Sequence, residues 1–163
     1  MALFKKRETL TQNIAYMAIM AAINVVFCLL STLVPVLMFL IIFVLPLTNT
    51  VVALFCKKKY FPIYAIATVG LCSLVTMWNI SDVFFHVIPS IFTGLLFAIL
   101  VEKKVNTVWI ILSTTLLQVG FSYAFIPLIN LIYGRNYVQD FAAIFGLKDY
   151  KYLDYIVPCA IFL

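Results

Sequence analysis

Asp82, His86, Ser90 and Thr93 recur at intervals of four, four and three residues. On a helix turning about 100° per residue they fall within an arc of about 80°, one polar stripe along one face. A carboxylate and an imidazole one turn apart either pair with each other or present both groups to a ligand. Trp78 and Asn79 stand beside the start of the stripe. On the next helix Thr115, Gln118 and Ser122 lie within about 60° of one another, and Asn130 closes that helix. Asn24 sits near the middle of the first helix. A later polar, aromatic segment carries Arg135, Asn136, Tyr137, Asp140, Lys148 and Tyr152. An arginine or lysine there suits a carboxylate or phosphate. The candidate substrate-binding set is therefore Asn24, Trp78, Asn79, Asp82, His86, Ser90, Gln118, Ser122, Asn130, Arg135 and Tyr137. The plainer role for each polar group within a helix is a hydrogen bond across the bundle.

Catalytic chemistry finds little to work with. The chain has no Gly-x-Ser-x-Gly, His-Glu-x-x-His or phosphate loop, one histidine, and five of its six acids outside the apolar runs. No residue cluster has the spacing of a metal site or calls for a cofactor. Cys28, Cys56, Cys72 and Cys159 stand singly in or beside apolar runs and read as small core residues. Asn79-Ile80-Ser81 fits the glycosylation pattern, a short match taken as chance. The chain reads as a non-enzyme.

The elements that must hold these residues are set by composition. Hydrophobic residues make up 66% of 163 and charged ones only 10%, against a globular norm of about half and a quarter. So few charges cannot cover a water-facing surface, and lipid is the expected solvent. Spanning hydrocarbon takes about 20 apolar residues in a helix. Between Glu8 and Lys57 there is no charge, room for two spans with a turn at Pro35. The expected helices cover 13–32, 37–56, 60–78, 83–101, 107–130 and 155–163 onward. Pro46 should kink the second. The last run, nine residues to Leu163, covers only about 14 Å, so further residues are expected to complete it. The first run is too long, and too closely followed by a second, for a cleaved signal peptide. The expectation is an all-α integral membrane protein, one domain over 1–163, a bundle of six transmembrane helices.

Orientation follows from the cations. With the N-terminus in the cytoplasm, inner segments hold eight (Lys5, Lys6, Arg7, Lys57, Lys58, Lys59, Lys103, Lys104) and outer segments three (Arg135, Lys148, Lys151), the positive-inside pattern. The net charge of +5 is thus a topology signal, and nucleic acid is not an expected partner. Trp78, Trp109, Tyr60, Tyr133 and Tyr137 fall near the expected interfaces.

Ala15, Ala18 and Ala22 lie within about 60° on the first helix, with Asn24 on another side. Small residues at such spacing let a second helix approach closely. A short basic N-terminus, about six helices in so short a chain, and Ala18-x-x-x-Ala22 together resemble the S components of energy-coupling factor (ECF) transporters, bacterial vitamin-binding membrane subunits. The resemblance implies a six-helix bundle in the bacterial plasma membrane. It would bind a small micronutrient on the extracytoplasmic side, near segments 31–36, 78–82 and 133–154. It also implies docking of Ala15, Ala18 and Ala22 on a transmembrane T component that links to two ATP-hydrolysing subunits. The alternative is a scaffold resembling the MreD family of cell-shape morphogenesis subunits, with no substrate. A stand-alone secondary transporter fits less well, for want of repeated halves.

Overall fold

The computed structural model describes residues 6–34, 37–77, 80–144, 146 and 152–160; Pro35, Trp78, Asn79, Lys148 and Lys151 lie outside the described residues. Among the described residues every regular element is helical.

Helix α1, Leu10–Leu33, begins where Thr9 accepts a hydrogen bond from the Gln12 backbone at 3.2 Å. Thr9 and Gln12 stand three apart as in a capping box. Helix α2, Met38–Phe55, contains Pro46. A short 3-10 turn, Lys58–Tyr60, leads into α3, Phe61–Val75, with Pro62 in its first turn, where a missing N–H costs nothing.

Helix α4, Ile80–Glu102, is interrupted by a π-turn at Val83–Val87. The Ile88 N–H bonds to the Val83 carbonyl, one residue beyond normal helical reach. Pro89 supplies the reason: its ring would clash with the carbonyl four residues back, and widening the turn relieves this. At the other end the Lys104 N–H bonds to the Val101 carbonyl (3.0 Å) and the Val105 N–H to the Leu100 carbonyl (3.1 Å). These are the paired bonds of a Schellman cap, with Lys104 at φ 54° where glycine is usual.

Helix α5, Thr107–Tyr133, starts with the Asn106 side chain accepting from the Val108 N–H at 3.1 Å. It ends at Gly134, whose φ is +62°. Helices α6, Tyr137–Ile144, and α7, Leu153–Ala160, follow. The expected polar segment after α5 therefore contains a helix of its own.

Three helices, α1, α4 and α5, are long and apolar enough to cross a membrane. The 15 residues of α3 give about 22 Å at 1.5 Å each, short of a full span. The eight residues of α7 are shorter still. The chain divides into two compact units, residues 1–114 and 115–163. In the first, α2 packs on α4, and α1 on both α2 and α3. In the second, α6 packs on α7. Val138 and Ala142 on α6, and Leu153 and Val157 on α7, are buried at four-residue spacing.

Around a buried apolar core the first unit also departs from the burial of a water-soluble domain. Phe43, Ile66 and Leu74 are each more than 70% exposed, whereas Asn13, Asn24, Asn49 and Thr68 are fully buried. Large apolar side chains fit a hydrocarbon surround, where polar groups turn inward.

A close helix contact is made at Gly94 of α4. A Cβ there would lie 2.7 Å from the Asn49 Cβ and 2.8 Å from the Thr50 nitrogen. Both belong to α2, and the nitrogen is backbone that cannot swing aside. Gly70 of α3 has nothing within 4 Å of such a Cβ. Gly94→Ala is expected to cost about 1–3 kcal/mol by overpacking, while Gly70→Ala leaves the thermal midpoint in detergent unchanged or slightly raised. Equal midpoints for the two variants would refute the close α2–α4 contact.

Candidate functional site

Three helices of the first unit contribute side chains to one buried polar cluster. Asn24 of α1 donates from Nδ2 to the Asn49 Oδ1 at 3.2 Å and to the Tyr64 hydroxyl at 3.0 Å. Tyr64 of α3 in turn donates to Asn49 Oδ1 of α2 at 2.6 Å. The Thr48 hydroxyl stands 2.5 Å from Asn24 Oδ1 and 2.9 Å from the Leu45 carbonyl. Among the described residues, buried Asn49 Nδ2 has no hydrogen-bond partner. Of this set the sequence singled out only Asn24. Thr48, Asn49 and Tyr64 were missed because their role is set by partners on other helices, which spacing along one helix does not show. Asn24 and Asn49 bond across helices, and Asn24 is buried in this cluster.

The polar stripe of α4 is also interior. Asp82, His86, Ser90 and Thr93 are each at most 9% exposed. The Ser90 hydroxyl donates to the His86 carbonyl, a bond back to its own helix that spares a hydroxyl in apolar surroundings. Common burial agrees with the one-face spacing. Trp78 and Asn79, expected beside the stripe, lie outside the described residues.

Helix α1 carries two further features. An apolar groove of about 380 Å³ runs between α1 and α3, lined by Ala18, Ala21 and Ala22 on one side and Ile63, Ala67 and Leu71 on the other. Ala18 and Ala22 are exposed, as the alanine seam requires. Ala15 is exposed on the same helix but does not line the groove. Exposed Ala67 extends the small-residue surface beyond what the sequence indicated, with buried Ala21 behind it.

At the N-terminal end of α1 the cationic segments are knit together. Lys6 and Lys58 pair with Glu102 at 2.9 and 2.5 Å. The Arg7 guanidinium lies 3.5 Å from the Tyr16 ring centroid. Asn13, fully buried, donates to the Arg7 and Thr9 carbonyls and accepts from the Lys57 N–H at 2.8 Å. The Lys57 ammonium reaches the Glu8 carbonyl at 2.7 Å. The segment before α1, the α2–α3 turn and the end of α4 therefore meet at one end of the first unit. Burial pushes the nearby Cys56 thiol up, while the Arg7 charge opposes that shift.

The remaining candidates belong to the second unit. Ser122 is buried and bonds back to the Gln118 carbonyl at 3.4 Å; Gln118 is half-buried and Thr115 exposed. Asn130 Oδ1 accepts from the Tyr137 N–H at 2.7 Å, so Asn130 anchors the start of α6. Arg135 is exposed and Tyr137 half-buried. Among the described residues no group of three or more His, Cys, Asp or Glu could hold a metal ion.

Comparison with protein-family models, with curated proteins and with solved structures finds no match to this chain.

Because Asn24 and Tyr64 share one hydrogen bond and a common acceptor, their substitutions should not add. Asn24→Ala and Tyr64→Phe, alone and together, are expected to show a coupling of about 1 kcal/mol in chemical denaturation. Strict additivity of the two would show that the cluster does not hold α1, α2 and α3 together.

Proposed function

We propose that the chain is a substrate-capture subunit of an ATP-driven importer of the ECF type. It would bind a vitamin or similar micronutrient on the extracytoplasmic side of the bacterial plasma membrane and dock on a transmembrane T component. ATP hydrolysis would belong to two partner subunits, and this chain would carry no catalytic group. The observation that carries the reading is the open groove beside Ala18 and Ala22. A surface of small side chains lets a partner helix approach closely, and in lipid that closeness supplies the attraction.

The gathering of Lys6, Arg7 and Lys57 at one end of the first unit supports a cytoplasmic N-terminus, since short cytoplasmic segments are rich in cations. The polar stripe of α4 then begins toward the other side, where a captured nutrient would arrive. The chain would cross the bilayer as a bundle of six helices.

One observation favours the second reading, a non-transporting scaffold resembling the MreD family. Asp82, His86, Ser90 and Thr93 are buried, which also suits groups that only hold the bundle together.

Two measurements separate these. Ala18→Leu with Ala22→Leu should leave the monomer folded and its ligand bound while abolishing co-purification with the T component and uptake into cells. Loss of ligand binding with partner assembly intact would overturn the reading. Native mass spectrometry of the wild-type protein should find a retained small molecule. If none is found and no vitamin shifts the thermal midpoint, the scaffold reading stands instead.

A further inference from the structure

The seam between α1 and α3 holds a pair of thiols. Cys28 donates to Cys72 across 3.6 Å, sulfur to sulfur, and both are buried. The buried positions of the seam explain the meeting. On α1 they include Asn24, Cys28 and Ser31, and on α3 Tyr64, Thr68 and Cys72. The Asn24–Tyr64 hydrogen bond fixes how the two helices stand relative to each other. Further from the lysine-bearing end along both helices, that register sets the two thiols side by side. Cys56 lies at the lysine-bearing end, next to Lys57, and Cys159 belongs to the second unit.

We propose that Cys28 and Cys72 are a reversible redox pair whose disulfide fastens α1 to α3. A disulfide needs its sulfurs about 1.5 Å closer than they stand, a gap that side-chain rotation and helix adjustment would have to close. The oxidant is a protein or small-molecule disulfide. One cysteine, as thiolate, attacks a sulfur of the oxidant and forms a mixed disulfide, releasing the oxidant's first thiol. The second cysteine then attacks its neighbour's sulfur and releases the other. One S–S bond forms in the protein and one breaks in the oxidant, whose two thiols carry away the two electrons and two protons.

Both thiols lie in the half of their helices remote from the lysines. With the N-terminus cytoplasmic, as proposed above, that half faces the compartment where thiol oxidation persists. The inference rests on that topology only for its cellular setting, not for the pairing itself. Leu71, next to Cys72, lines the alanine groove. A bond there would set the spacing of the two helices that form the docking surface, so oxidation state would bear on partner assembly.

The test is oxidation of the purified full-length chain in lipid nanodiscs with oxidised glutathione. Remaining thiols are then alkylated under denaturing conditions and the peptides mapped by mass spectrometry. The expected product is a single peptide pair joined through Cys28 and Cys72, lighter by two hydrogens, lost on adding dithiothreitol and absent from Cys28→Ser and Cys72→Ser. Oxidation should also raise the thermal midpoint of the wild type and leave that of Cys28→Ser unmoved. Recovery of Cys28 and Cys72 both alkylated, or cross-links only through Cys159, would overturn the pairing. Lysine accessibility from outside intact cells tests the orientation separately, so a wrong topology and a wrong pairing give different results.

Discussion

An amide in hydrocarbon has no water to turn to, and that constraint organises the first unit. Asn24 and Asn49 each bring two polar ends into surroundings made of leucine, isoleucine and phenylalanine. An unpaired group there costs about 1–3 kcal/mol, so their geometry is dictated by whatever partners other helices offer. Asn24 finds Asn49, Thr48 and Tyr64, and the result binds α1, α2 and α3 through one point. Gly94 brings the backbone of α4 against the same Asn49. The four helices of the unit therefore share a residue, and its apolar surround can be loosely specified elsewhere.

The end of the unit near Lys57 is held by different forces. There Asn13 spends three hydrogen bonds on backbone groups of the pre-helical segment and the α2–α3 turn. Those groups would otherwise be unsatisfied where chain segments leave the helical ladder. The ion pairs to Glu102 sit further out and are partly exposed, so each is worth at most about 1 kcal/mol and less in salt. Asn13 fixes the geometry, and the lysines add charge to a place already built. Positive charge at this end is thus better read as a marker of membrane side than as the source of stability.

Much of the helical architecture could be read from the chain, because charge-free runs of this length leave few alternatives. The expected helices at 13–32, 83–101 and 107–130 correspond to α1, α4 and α5, each a few residues longer in the structure. The extensions of α1 at its start and of α5 at its end follow from the local signals of Thr9 and Gly134, which hydropathy alone does not register. Helix α6 was hidden because the segment around it is polar. Its signal was Asn136, whose side chain accepts from the Gln139 N–H at 3.4 Å. The stripe on α4 was found by assuming a uniform turn, and the π-turn before Pro89 departs from that without dispersing the stripe. The Asn24 cluster and the Cys28–Cys72 pair were out of reach for another reason. Each depends on residues 15 to 44 positions apart meeting side by side, and periodicity along one helix carries no information about a neighbour.

Exposed side chains on such a protein are not equally informative. In water, Phe43 and Ile66 at more than 70% exposure would mark a docking surface. In lipid they mark nothing, because acyl chains solvate them as well as a protein would. What lipid does poorly is follow a shallow surface of methyl groups. Two helices meeting along alanines gain dispersion contacts and a shorter approach that disordered chains cannot match. The face of α1 at Ala18 and Ala22, flanked by Ala67 of α3, is therefore the distinctive part of the exterior. Its contrast is with the α2–α4 contact, where Gly94 already brings backbones together inside the chain. One close approach is used within the fold, and the small side chains of α1 and α3 line a groove on its surface.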